Sequence, residues 1–351
     1  MSAKPATITV TADELRSFWE QVLLAVNVPD DAARILASIQ VEADLRGVHS
    51  HGTRAIIRYI GEIEAGTMDP AAGLTIVRQT PAMAIADGNA GIGQVAAKQA
   101  MALAIVKART SGIGIVGVRR SNHAGALGYY AMHAAASGMI GLATSGRRVR
   151  RGNMAAFGSI TPLLSNHPMA WAIPAGEAPP IVLDMATGVV AYGKIELARR
   201  DGTRLPPGWA LDSDGEPTED PEKAAMVLPV GPKGSALSLV MSVLGGFLVS
   251  SGLPRESDLA EYDIDRPGHF LMAINVEHFV RIADFQAEID ERIQDIQSGT
   301  PAPGHERVYV PGEIEWLLAE RRRREGIPMH TGDIANFNKL AARLGVSAKL
   351  E

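Results

Sequence analysis

Two closely spaced histidines are the first residues of this chain whose type and spacing could do chemistry. Residues 47–54 read GVHSHGTR, so His49 and His51 flank one serine. Such a pair can supply half of a zinc site, can carry protons, or can belong to a polar loop without a chemical role. Two rings at i and i+2 share one side of a strand but diverge by about 200° on a helix. The segment lies at a predicted helix junction with no further ligand at short spacing, which disfavours metal binding. A metal-dependent hydrolase using His49 and His51 stays as an alternative.

A third histidine lies in a position that is typical of catalytic side chains. The segment RRSNHAGALGYY (119–130) places His123 after a predicted strand and before a predicted helix. The backbone is fixed at such a junction while the side chain stays open to a ligand. His123 and one histidine of the 49–51 pair need only be brought together by the fold to act as proton carriers. Local sequence alone leaves open that each is a loop histidine without a role.

Helices and strands alternate in a way that predicts how these residues are positioned. Thr11-Ala-Asp-Glu14 is a capping box that begins a helix to about Val26, and further helices are predicted near 29–46 and 54–65. From about Leu74 onward, strand-like segments alternate with helices near 93–110 and 129–137, which predicts an α/β or α+β domain. The strand-like segments are LTIVRQT, AMAIADG, GIGIVGVRRS, GMIGLATS, MAWAIPAG and PPIVLDMAT.

The later chain gives weaker signals. Residues 199–222 are rich in turn formers and charge and are expected to form a long exposed loop. Residues 231–252 form a small-residue helix whose uniform apolarity predicts full burial, with a subunit contact as one way to achieve it. A strand and an amphipathic helix are predicted within 275–297, and helix returns after Pro311.

Composition bounds the class of protein. A chain of 351 residues is long enough for about two compact units. The formal charge of −5 gives no reason to expect nucleic acid, and no apolar run approaches the roughly 20 residues of a membrane span. The first residues lack the apolar core of a signal peptide. There are no cysteines, which excludes thiolate chemistry and is compatible with a cytoplasmic enzyme.

The charge distribution is less even than the total. From Gly88 to Gly176 there is no Asp or Glu, but there are nine Lys and Arg residues. Folding against the acidic parts of the chain could neutralise them. Alternatively, they form a surface that attracts a polyanionic ligand such as a dinucleotide.

Two glycine patterns match the dinucleotide fingerprint only in part. Gly91-Ile-Gly93-Gln-Val-Ala96 follows a strand-like run and opens a helix, and Gly112-Ile-Gly114-Ile-Val-Gly117 also matches. The fingerprint also requires an acidic residue about 20 positions later, which the acid-free segment cannot supply. An ordinary Rossmann domain is therefore disfavoured.

The chain resembles the type-2 malate/L-lactate dehydrogenase family over nearly its whole length. The matching segments occur in family order and are ADLRGVHSHG (43–52), DGNAGIGQVAAKQAM (87–101), SGIGIVGVRRSNHAGALGYYAMHAAASGMIGLATS (111–145), AIPAGEAPPIVLDMATGVVAYGKI (172–195), GWALDSDGEPTEDP (208–221), GPKG (231–234) and VPGEIE (310–315). The resemblance implies a non-Rossmann α/β (α+β) fold with a mostly antiparallel sheet. It implies a helical domain from both chain ends, residues 1–72 and 305–351, and a cofactor and substrate domain over 73–304. It also implies a homodimer and NAD or NADP as cofactor.

The resemblance also implies roles for individual residues. His51 matches the family's proton donor, and His123 matches a histidine with a proton-transfer role in some members. Substrate binding is assigned to Ser50, Arg54, Arg58 and Asn122. Cofactor binding is assigned to Ser145, Arg147, Ile181, Val182, Leu183, Asp184, Met185, Ala186, Thr187, Pro232, Lys233, Gly312, Glu313 and Ile314.

Three positions depart from the family pattern. Ala55 stands where many relatives have an arginine, Asn166-His167-Pro168 replaces Thr-Asn-Pro, and Ser145-Gly146-Arg147 replaces Thr-Asn-Ser. The arginines from 147 to 151 could contact an NADP 2′-phosphate, contact an acidic substrate, or face solvent. The predicted function is NAD(P)-dependent hydride transfer to C2 of a small 2-oxo acid. A cyclic imino acid as substrate, and a relative that binds cofactor without catalysis, stay as alternatives.

Overall fold

Helices from both ends of the chain pack around one apolar core. The computed structural model describes residues 7–148, 152–250 and 266–351. Trp19 and Phe337 are fully buried, and their rings meet edge to face with centroids 4.9 Å apart. These helices are α1 (Ala12–Leu24), α2 (Asp30–Leu45), α3 (Ala55–Glu64), α10 (Glu313–Glu325) and α11 (Thr331–Arg343). Strand β1 (Thr7–Val10) pairs antiparallel with β12 (Ile327–His330), which ties the two chain ends together.

The predicted capping box begins α1. The Glu14 backbone N–H donates to Thr11 Oγ1 at 3.2 Å, and the Thr11 N–H donates to Glu14 Oε2 at 2.9 Å. Both bonds satisfy amide groups that a helix start leaves without a partner. The hydrogen bond to Thr11 lowers the pKa of Glu14.

A seven-stranded sheet forms the centre of the α/β part, and its strands follow the order β2-β3-β4-β11-β5-β6-β7. Only β3 and β4 pair in parallel, so the predicted mostly antiparallel, non-Rossmann sheet is confirmed. All six predicted strand segments lie in this sheet. The strands are β2 (Thr75–Gln79), β3 (Met83–Asp87), β4 (Ile113–Arg119), β5 (Met139–Gly146), β6 (Met169–Ile173), β7 (Ile181–Met185) and β11 (Gly268–Asn275).

The glycines of the two partial fingerprints serve packing. Helix α4 (Gly93–Ser111) lies on the sheet, and a Cβ at Gly114 would lie 1.8 Å from the carbonyl oxygen of Ala104. A Cβ at Gly93 would lie 2.2 Å from the carbonyl oxygen of Asn122. These glycines therefore allow close approach of backbone to backbone.

Two expectations for the later chain were wrong. Residues 199–222 are not one loop, because they contain the end of α6 (Tyr192–Asp201) and the strands β8 (Ala210–Leu211) and β9 (Pro217–Thr218), which join β10 (Met226–Val227) in a small sheet. The strand expected after 275 is β11, which ends at Asn275 and precedes α9 (Ile282–Gln297).

The apolar helix after 231 is not fully buried within the chain. It comprises α7 (Gly231–Ser242), a π-helical turn (Val243–Phe247) and α8 (Leu248–Ser250). Leu239 is 55% exposed and Leu248 61%. By length and composition alone, Gly231–Ser250 is long and apolar enough to cross a membrane. Its buried side packs on β4, β5 and β11, as a core helix does.

Candidate active site

A cavity of about 730 Å³ lies between the chain-end helices and the sheet. Its wall is formed by α2, the turn after it, the start of α5 (Gly128–Ala135), β5, β7 and the start of α10. Its size is within the range of small-molecule and cofactor sites. His51 and His123 both line it, so the fold brings together the two histidines that the sequence singled out.

One buried carboxylate holds the turn that carries His51. Asp44, at the end of α2, accepts hydrogen bonds from the Thr53 backbone N–H at 2.8 Å and from the Thr53 hydroxyl at 2.7 Å. His51 lies in the 3-10 turn between α2 and α3, at the predicted helix junction. A Cβ at Gly52 would lie 2.0 Å from Asp44 Oδ1, so glycine is required for this approach.

His49 is engaged within the protein. Its Nδ1 lies 2.9 Å from Asp44 Oδ1, and its Nε2 lies 3.1 Å from Nη1 of Arg322. Since a guanidinium can only donate, Nε2 accepts and Nδ1–H donates to the carboxylate. Within the described residues, no group of three or more His, Cys, Asp or Glu side chains could hold a metal ion. The hydrolase alternative therefore has no supporting geometry.

His51 and His123 form a stacked pair, with ring centroids 5.4 Å apart and planes inclined by 23°. The Gly125 N–H donates to His123 Nδ1 at 3.1 Å, and the Tyr59 hydroxyl lies 2.8 Å from the same nitrogen. Because an amide can only donate, neutral His123 carries its proton on Nε2. The Ser50 hydroxyl lies 2.9 Å from His51 Nδ1.

Charge and burial divide the protons unequally between the two rings. Desolvation, with a contribution from Arg58, lowers the pKa of His51. Desolvation holds the pKa of His123 well below its usual value, and positive charge on His51 and Arg58 lowers it further. Two positive rings at this distance repel each other, so a single added proton resides on His51.

The structure separates the predicted substrate residues. Arg58 lines the cavity, whereas Arg54 points away and pairs with Asp333 at 3.3 Å. Asn122 does not line the cavity, because both hydrogens of its amide go to the carbonyl oxygens of Ala90 and Gly91. Its Oδ1 accepts from Arg266 at 2.8 Å. Of the four predicted residues, Ser50 and Arg58 are therefore placed to contact a substrate.

A second polar group in the cavity contains a carboxylate and an arginine. Asp184, on β7, accepts a hydrogen bond from the Gly128 N–H at 2.7 Å, and burial raises its pKa. The positive charge of Arg46 opposes this rise, because it stabilises the ionised carboxylate of Asp184. Desolvation lowers the pKa of Arg46 itself. A carboxylate suits ribose hydroxyls and a guanidinium suits phosphate oxygens. The carboxylate and the guanidinium together fit a dinucleotide.

The predicted cofactor residues divide into those in the cavity wall and those outside it. The residues in the wall are Ser145, Arg147, Val182, Leu183, Asp184, Met185, Ala186 and Gly312. The residues outside it are Ile181, Thr187, Pro232, Lys233, Glu313 and Ile314. Glu313 is buried and pairs with Arg307, and Ile314 is 56% exposed. Of the VPGEIE segment, Pro311, Gly312 and Glu315 line the wall.

Sequence reasoning assigned no contact role to several polar residues that line the cavity. Arg46 lies inside the quoted segment ADLRGVHSHG and could have been found there. His167 was noted only as a departure from the family pattern. The remaining ones are Glu42, Tyr129, Asn153, Ser165, Asn166, Tyr192 and Glu315.

Two of the nine basic residues in the acid-free segment are paired with a carboxylate in the part of the chain that the structure describes. Asp87 pairs with Arg119 at 3.0 Å and with Arg120 at 3.5 Å, and Lys107 donates to the Thr80 carbonyl oxygen at 2.7 Å. Arg147 lines the cavity. Arg150 and Arg151 lie outside the described residues.

The sequence and the fold of this chain are both similar to those of known dehydrogenases. The family model for malate/L-lactate dehydrogenase matches residues 10–338. The malate dehydrogenase of Pyrococcus abyssi is 38% identical over 350 residues, 97% of this chain and 96% of that protein. This chain belongs to the malate/L-lactate dehydrogenase family, and it is a dehydrogenase.

Solved structures agree with this assignment. The malate dehydrogenase of Pyrococcus horikoshii OT3 superposes with a TM-score of 0.86 at 35% identity, over 99% of each chain. The Δ1-piperideine-2-carboxylate reductase of Pseudomonas syringae pvar. tomato superposes with a TM-score of 0.82 at 28% identity, over 95% of this chain and 100% of that one. The fold class predicted from the resemblance is confirmed.

Proposed function

We propose that this protein is an NAD(P)-dependent oxidoreductase that transfers a hydride between the nicotinamide and C2 of a small 2-oxo or 2-hydroxy acid. The observation that carries the proposal is the stacked pair His51–His123 in a cavity that also contains Arg58 and Asp184. The names of the relatives supply the substrate class, since they include malate dehydrogenases.

The cavity residues divide the work of the reaction between them. The bound nicotinamide supplies or accepts the hydride. Hydride arrival at C2 leaves negative charge on the substrate oxygen, so an acid must deliver a proton there. His51 holds the proton of the pair and is the donor. His123 presents Nε2–H as a hydrogen-bond donor to the same oxygen, and Arg58 neutralises the substrate carboxylate.

Arg147 is the residue from which we infer a second negatively charged group on the substrate. Arg147 lines the same cavity as His123 and His167, and its positive charge contributes to lowering the pKa of both rings. This position favours an acidic substrate over a 2′-phosphate as the ligand of Arg147. We therefore propose a dicarboxylate such as oxaloacetate as the preferred substrate, with NAD and NADP both to be tested.

The second candidate is reduction of a cyclic imino acid by the same proton donor. It is favoured by the structural likeness to Δ1-piperideine-2-carboxylate reductase. In that case His51 protonates nitrogen rather than oxygen, and Arg147 has no second carboxylate to bind.

A homodimer is also proposed. The exposed apolar side chains of the helix after 231 recur at i, i+4 and i+8 and therefore form one stripe. The exposed Phe157 lies beside this helix, because its N–H donates to Ser235 Oγ on α7 at 3.0 Å. A second copy of this chain would cover a patch of this kind.

A substrate and cofactor panel tests the proposal. Oxaloacetate, pyruvate and Δ1-piperideine-2-carboxylate are each supplied with NADH and with NADPH, and oxidation of the reduced cofactor is followed at 340 nm. We expect turnover with oxaloacetate to exceed that with pyruvate by at least about tenfold in kcat/KM. Arg147→Met should remove most of this preference, and Arg204→Met, on an exposed loop, should leave it unchanged.

The same panel can also give results that contradict the proposed reduction of a 2-oxo acid. Preference for the cyclic imine identifies the second candidate. Binding of NADH or NADPH without turnover of any compound would mean that this chain has lost catalysis.

A further inference from the structure

His167 is a buried side chain of the cavity, and the proposed function gives it no role. It lies in the segment before β6, is 4% exposed, and forms part of the cavity wall. Its Nδ1 lies 3.1 Å from the hydroxyl oxygen of Ser238 on α7.

Counting hydrogens fixes the tautomer of His167. The Ser238 hydroxyl donates to the Ser165 carbonyl oxygen at 2.8 Å, and a hydroxyl has only one hydrogen to give. The ring must therefore donate from Nδ1–H to Ser238. Burial lowers the pKa of His167 to about 4, and the nearby charge of Arg147 acts in the same direction, so the ring is neutral. Nε2 is then a bare acceptor.

This acceptor has no hydrogen-bond partner in the part of the chain that the structure describes. Asn153 Oδ1, on the same cavity wall, is a second buried acceptor without a partner there. The two segments run side by side, since Met154 and Leu164 form a bridge. A buried acceptor without a partner is destabilising, so two on one wall call for a ligand that donates.

We propose that His167 Nε2 and Asn153 Oδ1 form a subsite that accepts the two N–H groups of the nicotinamide carboxamide. A primary amide has two donor hydrogens, whereas a substrate hydroxyl has one. His167 and Asn153 line the same cavity as His51 and His123, so we place the subsite at the catalytic end rather than at the adenine end. The proposal rests on the proposed function, because it requires a nicotinamide cofactor.

Two variants of His167 separate the acceptor from the contact with Ser238. His167→Asn places a polar atom near the position of Nδ1 and nothing at that of Nε2. His167→Gln places its amide oxygen near the position of Nε2 and restores an acceptor. Thermal unfolding of both variants checks that they are folded.

The test measures dissociation constants of binary complexes by titration calorimetry, without turnover. The three ligands are NADH, the reduced 3-acetylpyridine adenine dinucleotide, which lacks the amide N–H groups, and the reduced nicotinamide hypoxanthine dinucleotide, which lacks the adenine amino group. If the panel shows a preference for NADPH, the corresponding 2′-phosphates are used. The wild-type protein should bind NADH at least about fivefold more tightly than the acetylpyridine analogue. His167→Asn should abolish this ratio and His167→Gln should retain most of it.

Three results would overturn the proposal. The ratio could be unchanged in His167→Asn, or the loss could fall on the hypoxanthine analogue instead, or only substrate affinity could change. If the wild-type protein binds neither NADH nor NADPH, the proposed function itself fails and the subsite fails with it.

Discussion

A histidine can deliver a proton during turnover only if it holds that proton while its neighbour does not. The rings of His51 and His123 stack with centroids 5.4 Å apart. Desolvation and nearby positive charge hold the pKa of His123 well below the usual value of a histidine. The amide of Gly125 adds to the difference, because it donates to the nitrogen that a second proton on His123 would occupy. The pair therefore behaves as one acid, His51, next to one neutral hydrogen-bond donor, His123.

The pH dependence of the reduction follows from this division. The pKa of His51 is lowered from 6.5, so its protonated form is lost as pH rises through a value below 6.5. The value of kcat/KM for reduction of the oxo acid should therefore fall with increasing pH, by about tenfold per pH unit above the break. Oxidation of the hydroxy acid should rise over the same range.

Matched variants distinguish the source of this break. His51→Gln should lower turnover by about 10²- to 10⁴-fold and remove the break, while the dissociation constant of NADH stays within about twofold. His305→Gln, at an exposed position, should change neither. A break that persists in His51→Gln would assign the proton to another group.

Elements position these residues through contacts that sequence shows only in part. The capping box of α1 and the apolar strands are local signals, and they predicted most of the fold. The bounds of strand β11 were predicted wrongly because the strand is buried on both faces. It therefore lacks the alternation of apolar and polar residues that marks the start and end of a half-buried strand. Full burial of the long helix after 231 stays a prediction, since uniform apolarity cannot distinguish burial in a core from burial at a subunit contact.

The site itself was predictable by residue type but not by contact. His51 and His123 could be selected from their motifs, and the two rings meet in the structure. The hydroxyl of Tyr59 lies 64 positions from His123 in sequence, and that of Ser238 lies 71 positions from His167. No local pattern reports such pairs, so the acceptor on His167 could not be seen from the sequence.

Close packing at the start of α4 gives a prediction at the scale of elements. A Cβ at Gly93 would lie 2.2 Å from the Asn122 carbonyl oxygen and 2.4 Å from that of His123. Gly93→Ala must therefore displace the segment that carries His123, and it should lower both the urea midpoint and kcat. We expect a loss of about 1–3 kcal/mol in the free energy of unfolding.

Gly61→Ala is the matched control for this prediction. It lies within α3, and a Cβ there meets nothing within 4 Å. The alanine should stabilise the protein by up to about 1 kcal/mol, because it raises helix propensity, and should leave kcat unchanged. Equal effects of the two substitutions would show that backbone approach at Gly93 is not limiting.

At the scale of the whole molecule, the two faces of the sheet are covered differently. Gly114 faces α4 and Gly117 faces Val249 of α8, so α4 and the helix after 231 lie on opposite sides. The exposed face of the latter consists mainly of apolar residues, and a patch of this kind is typical of a partner surface. The exposed members on this helix are Leu239, Val240, Val243, Phe247 and Leu248.

The proposed homodimer predicts how charge on this face affects assembly. Sedimentation velocity of the wild-type protein should give a dimer, and Val240→Glu should shift it toward monomer, because a carboxylate is costly to bury without a partner. Val106→Glu serves as the control, since Val106 is 58% exposed on the opposite layer. A wild-type monomer, or a dimer unaffected by Val240→Glu, would show that this face is not the interface.

The most direct test of the central claim follows the transferred hydrogen. Oxaloacetate, or whichever panel compound is turned over, is reduced with NADH or NADPH that carries deuterium at C4 of the nicotinamide, and the product is examined by NMR. The account predicts deuterium at C2 of the product from the labelled cofactor. It also predicts no deuterium at C2 when unlabelled cofactor is used in D₂O. Solvent-derived hydrogen at C2, or consumption of cofactor without label in the product, would contradict it.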